Sequence, residues 1–394
     1  GTLMAYANRI AQDVWYAIVY VWTLSIQPQE IEFNSKSTLA AWGLGLAAGL
    51  TAALAMEAWA RKAEWMKRSD AYPALIFATA LGAILVGGLP AWMTGKQALV
   101  GLWSGRFLFG QFLGAVSVTV LVVMWFIGRE RRAFAHLAMA LLLANAFSLQ
   151  FRTANKYALD WGIQRDFFWQ LKWRVPALEP RSFIVMANTP LALTVDYQLA
   201  FVINMLYGSP PGQETVDYWW FNAPNRLPGY FARTENPTQP VEIQFRTIRF
   251  ASDMSRAVPV LYRPSRGCLL VADPVYASAP LLSDAEQKMF ADAYAANILT
   301  DDVPVPRDVF GSEPPRGWCY HFQKADLARQ NGQWDTVLEH WRTAQAAGLS
   351  PGYGPEYVPF IEAYARQEDW DTARQLTEAS FALSEKMDVL LCNT

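Results

Sequence analysis

The chain has 394 residues, 53% of them hydrophobic and 17% charged, with a formal net charge of −2. Soluble domains carry about a quarter charged residues, and here the deficit is concentrated: residues 1–150 hold 11 Lys/Arg and 7 Asp/Glu, whereas 151–394 hold 22 and 28. An apolar first part at +4 and an ordinary second part at −6 exclude a single soluble globule, a disordered chain and a fibrous repeat, and the near-neutral total gives no reason for nucleic-acid binding.

Four stretches reach the roughly 20 apolar residues that cross a bilayer: 38–60, 71–93, 107–128 and 133–149. A fifth, 4–25, comes first in the chain and has to take in Arg9 and Asp13 to be long enough. Spaced i, i+4, these two share a helix face: an intramembrane pair on a substrate or ion path, or an interfacial pair that snorkels. Counting five spans, the loops at 61–70 and 129–132 carry seven basic residues, and those at 26–37 and 94–106 carry three. That bias places the basic loops in the cytoplasm and everything after about residue 150 outside it. Glu57 reads as the helix-end partner of Arg61, and His136 as an interfacial or packing histidine. Gly1 opens the chain without an initiator methionine or signal peptide, and residues 387–392 read as an element in progress, so the sequence reads as a possible fragment.

Residues 156–174 (KYALDWGIQRDFFWQLKWR) follow as an amphipathic helix, separate from the last span, with Trp161, Phe168 and Leu171 at helical spacing. Strands are predicted at 182–187, 217–221, 241–250, 258–262 and 268–273, the last two forming a hairpin across the turn at 263–267, with a helix at 191–207. Ser283 with Glu286 three residues on forms a capping box ahead of Met289, Phe290 and Tyr294. The acidic, Pro-rich stretch 300–315 reads as a linker.

The last part repeats itself. Segments 318–351 and 355–383 each read helix, tight turn, helix, and align LARQNGQWDT with YARQEDWDT, so that Trp334 matches Trp370 36 positions on. This pattern resembles tetratricopeptide repeats, which run about 34 residues. Trp334 and Trp370 are expected to be equivalent core residues of two stacked helix pairs, with Trp341 and Tyr364 beside them as repeat-core or partner-binding aromatics.

The expected architecture is therefore an α-helical polytopic membrane domain of four to five spans (1–150), a small α/β domain (151–275) and an all-α helical-pair region (276–394). Catalytic signatures are sparse. Cys319 and His321 alone have zinc-site spacing, without a second pair; no phosphate loop, dinucleotide fingerprint or nucleophile elbow occurs, and no cofactor or metal is expected. Cys268, Cys319 and Cys392 all fall in the part predicted outside, where one disulfide can persist; its pairing stays open, as does the reading of all three as buried small apolar residues.

Several spans followed by the aromatic helix WGIQRDFFWQLKWRVPALEP and a strand–helix unit resemble uncharacterised bacterial multi-pass envelope proteins, and more distantly the glycosyltransferases of the GT-C class. The latter resemblance implies a lipid-linked sugar donor and a catalytic carboxylate in the first outer loop, where this chain offers Glu30 and Glu32. Two functions follow. In one, the chain is a membrane-anchored interaction or assembly module of the bacterial plasma membrane, facing outward, that meets a protein partner through its helical repeats. In the other, it is a lipid-dependent glycosyltransferase with the repeats as an accessory.

Overall fold

The computed structural model describes residues 3–23, 36–62, 73–96, 105–128, 132–187, 189, 191, 194–210, 212–222, 236–280, 282–291, 293 and 295–392. Two compact units divide the chain, 1–159 and 160–394. The first is helical: α1 (Leu3–Trp15), which continues through a π-helical segment to Thr23, α2 (Lys36–Lys62), α3 (Pro73–Met93), α4 (Phe112–Gly128) and the start of α5 (Arg132–Arg174). Among the described residues three helical stretches are long and apolar enough to cross a membrane, Lys36–Ala55, Ala74–Met93 and His136–Arg174, and Arg106–Val122 is a shorter apolar one. Large apolar side chains such as Leu75, Phe77, Leu85 and Val86 on α3 are exposed. That is a poor surface for water and a suitable one for lipid.

Small residues let these helices approach. A Cβ on Gly49 of α2 would lie 2.2 Å from the Ala140 carbonyl oxygen of α5, and one on Gly45 would lie 2.5 Å from that of Ala144. Glycines four apart on one helix face alanines four apart on the other, which is how apolar helices associate where burial from water supplies no drive.

α5 is one helix of 43 residues. The predicted break between a span ending at 149 and a helix starting at 156 does not occur. Nothing between 150 and 161 is Gly or Pro, so no residue there stops the helix.

The second unit pairs a short β1 (Ala177–Leu178) antiparallel with β8 (Ile298–Leu299) and is built around a four-stranded sheet of order β3-β2-β6-β7. β2 (Phe183–Met186) runs parallel to β3 (Trp219–Asn222) on one side and to β6 (Ala257–Leu261) on the other, and β6 pairs antiparallel with β7 (Leu270–Val271). All four β2 side chains are buried, as expected for a strand covered on both faces. They alternate: Phe183 and Val185 enter one core, Ile184 and Met186 the other. The second core holds Phe167, Phe168 and Leu171 from α5 with Leu199 and Ile203 from α6 (Asp196–Leu206).

The predicted strand 241–250 is instead a hairpin, β4 (Pro240–Phe245) and β5 (Ile248–Asp253), turning at Arg246 with φ +56°. The inward positions change parity across the turn, from Val241, Ile243 and Phe245 to Ile248, Phe250 and Ser252, and the two-residue turn is too short to interrupt the apolar run visibly.

α7 (Asp284–Ala291) begins at the predicted capping box. Ser283 N and Oγ donate to Glu286 Oε2 at 2.9 Å each, and Glu286 N donates back to Ser283 Oγ at 3.4 Å. The 300–315 stretch is anchored rather than free: α8 (Arg307–Phe310) inserts Phe310 into the second core, and Trp169 Nε1 donates to the Phe310 carbonyl at 3.2 Å. Four further helices form two pairs, α9 (Trp318–Gln330) with α10 (Trp334–Ala346), and α11 (Val358–Arg366) with α12 (Trp370–Leu383), before α13 (Asp388–Cys392). Expected as a segment beginning near residue 276, they share one core with Phe183, Phe221 and Leu261 of the sheet layer.

Candidate functional site

The helix pairs are fixed to the sheet layer by buried polar clamps. Asp326 of α9, 2% exposed, accepts from Arg174 Nε at 2.7 Å, from Arg329 Nε at 2.9 Å and from the Tyr276 hydroxyl at 2.7 Å. Arg329 continues to Asp273 at 2.7 Å and to Glu362 of α11 at 3.6 Å. Burial pushes the Asp326 carboxyl up, but the two guanidinium groups and the tyrosine hydroxyl outweigh it and hold it at about 2. Removing one partner of such a group leaves an uncompensated buried charge, which makes the clamp intolerant of substitution.

Glu356 forms the second clamp. Its buried carboxylate accepts from Cys268 N at 2.7 Å, Gly352 N at 3.0 Å and Trp318 Nε1 at 2.7 Å. Burial raises its pKa, and those three donors partly offset the rise. Beside it, Cys268 and Cys319 form a disulfide, leaving Cys392 free and exposed.

With Cys319 in that bond, the Cys319/His321 spacing makes no zinc site. His321 instead faces His340 of α10, Nδ1 to Nδ1 at 3.4 Å. Burial, reinforced by the neighbouring His321, lowers the His340 pKa to about 4; burial lowers His321 as well. Among the described residues no group of three or more His, Cys, Asp or Glu is placed to hold a metal.

The repeat aromatics divide. Trp341 packs on Phe360 at 4.8 Å and on Trp318 and Tyr357 at 6.0 Å, while Tyr364 is half-buried against the same core. Trp334 is also half-buried, with the Arg366 guanidinium 5.4 Å from its ring centre. Trp370 is 62% exposed. The repeat predicts two equivalent core tryptophans; the exposure of Trp370 overturns that expectation. Trp334 opens a helix that α11 covers, whereas Trp370 opens the last long helix described and stands in a groove. Ile361, Ala365, Arg366, Ala373, Arg374 and Thr377 line that groove, which encloses about 750 Å³. No motif marks the groove in the sequence; it is formed by side chains of α11 and α12 with Leu391 of α13.

In the first unit, Arg9 and Asp13 engage the end of α3. Arg9 Nη2 donates to the Gly95 carbonyl at 3.2 Å, and Trp92 Nε1 donates to buried Asp13 Oδ2 at 2.7 Å. Glu57 Oε2 lies 3.0 Å from His136 Nδ1, a pairing of α2 with α5 that the i, i+4 spacing to Arg61 does not suggest. Glu30 and Glu32 lie outside the described residues. The sequence matches no protein family, and no curated protein or solved structure matches it.

Proposed function

We propose that this chain is a membrane-anchored interaction module of a bacterial cell envelope, with four or five spans, and that its tetratricopeptide-like helix pairs hold a protein partner outside the cytoplasm. The observation that carries this reading is the exposed Trp370 in the groove between α11 and α12. A large aromatic standing free beside Arg366 and Arg374 has the composition of an interface hot spot. The clamps at Asp326 and Glu356 supply rigid backing for such a surface. Outward placement is supported by the basic-loop bias and by the Cys268–Cys319 disulfide, which persists in an oxidising compartment. The partner that suits the groove presents an apolar anchor for Trp370 and a carboxylate for Arg374, since Arg366 already lies 3.5 Å from Glu362 of the groove wall.

The test is purification in mild detergent, with mass spectrometry of what remains bound to the wild-type chain and to the Trp370→Ala, Arg374→Glu double variant. A protein retained by the first and lost from the second, at unchanged melting temperature, supports the reading. Identical retention by both removes the groove as the docking surface.

A further inference from the structure

The sheet carries a second concavity that the partner groove does not use. β2 continues through α6 to β3 on its left, whereas its right-hand neighbour β6 turns away to β7. Between β2 and β6, successive connections thus leave the carboxyl edge in opposite directions, and this is where open α/β sheets bind ligands. The residues beyond those two strand ends, Thr189 and 261–266, line a pocket of about 260 Å³. It shares Ser265 and Arg266 with a half-open cleft of about 980 Å³, whose far wall comes from the helical region: Tyr353, Ser384 and Lys386.

The walls are held in place before any ligand arrives. Arg263 grips Glu286 with Nη2 at 2.7 and 2.9 Å, and the disulfide and the Glu356 carboxylate tie Cys268 to the helix pairs. The Tyr353 hydroxyl donates to the Pro280 carbonyl, and the Ser384 hydroxyl accepts from Gly354 N at 2.9 Å. Groups spent on these bonds are structural. Those facing the cleft without such duties are the exposed side chains of Arg266 and Lys386 and the hydroxyls of Ser265 and Ser278, with Glu385 as the one carboxylate. With Arg263 neutralised by Glu286, two cations stand against one anion over a hydroxyl-rich floor.

We propose that this cleft binds an anionic sugar: a phosphate or carboxylate held by Arg266 and Lys386, with the sugar hydroxyls meeting Ser265 and Ser278. A guanidinium and an ammonium on opposite walls are suited to one anionic group, and a preorganised polar cleft loses little on binding. This inference stands apart from the Trp370 groove, which lies on another face of the helix pairs and shares no lining residue with the cleft.

The experiment is calorimetric titration of the full chain in detergent with a hexose phosphate, a hexuronate, the neutral hexose and inorganic phosphate. One or both charged sugars are expected to bind saturably and more tightly than the neutral hexose or phosphate. Arg266→Ala and Lys386→Ala should each weaken that binding about tenfold, the scale of one charge-assisted hydrogen bond. Arg374→Ala, in the other groove, should leave it unchanged. Both cleft residues are exposed, so melting temperatures report that the variants fold. Saturable binding that survives the Arg266→Ala, Lys386→Ala double variant, binding of phosphate as tight as that of either charged sugar, or no saturable binding of either charged sugar overturns the proposal.

Discussion

The Arg366 guanidinium lies 5.4 Å from the ring centre of Trp334, while Trp370, its counterpart one repeat later, is 62% exposed. Side chains that match in sequence thus do different work. Trp334→Ala should lower the stability of the full chain by about 1–3 kcal/mol, roughly half the cost of truncating a fully buried tryptophan. Trp370→Ala should stay within about 0.5 kcal/mol. Thermal melts in detergent compare them, and equal losses would remove the distinction.

Asp326→Asn should cost about 3–5 kcal/mol, because Arg174 and Arg329 stay buried without their counter-charge. The wild-type carboxyl, held at about 2 against the ordinary 3.8, also makes stability pH-dependent. As pH falls, the unfolded chain takes up the proton first. The stabilisation is complete above about pH 4 and is lost towards pH 2; the shift amounts to about 2 kcal/mol. Denaturant titrations across pH 2–5 should show that slope in the wild type and its absence in the Asn variant.

The disulfide closes a loop with a sequence separation of 51 residues. A cross-link of that span stabilises by about 2–4 kcal/mol, and reductant should lower the melting temperature accordingly. A Cys268→Ala, Cys319→Ala double variant should melt like the reduced wild type and no longer respond to reductant.

Cys392 is the free, exposed thiol, which gives a topology test without substitutions. A membrane-impermeant maleimide should label it on intact cells whose outer barrier is opened. Labelling only after lysis would put the second unit in the cytoplasm.

Gly49→Leu should separate α2 from α5, because even its Cβ would sit 2.2 Å from the Ala140 carbonyl oxygen. Gly43, whose Cβ would meet nothing within 4 Å, is the control. Crosslinking yield between cysteines placed at Glu57 and His136, whose side chains meet at 3.0 Å, should fall in Gly49→Leu and hold in Gly43→Leu.

Much of the local structure was legible in the residues alone. The apolar helices follow from length and hydropathy, β2 from a continuous buried run, α7 from its capping box and the helix pairs from a repeated pattern. Each is a property of neighbours within a turn or two of chain. The groove, the clamps and the cleft were not legible, because they depend on pairings between distant segments: Arg174 meets Asp326 across 152 positions, and Cys268 meets Glu356 across 88. The sequence by itself determined which stretches are apolar, the β2 run, the start of α7 and the pairing of the last helices, but not the continuity of α5 or the turn at Arg246. Only the tertiary structure decided which cysteines join, which histidine faces which, and which of two matching tryptophans is covered, since burial belongs to what packs on a residue and not to the residue.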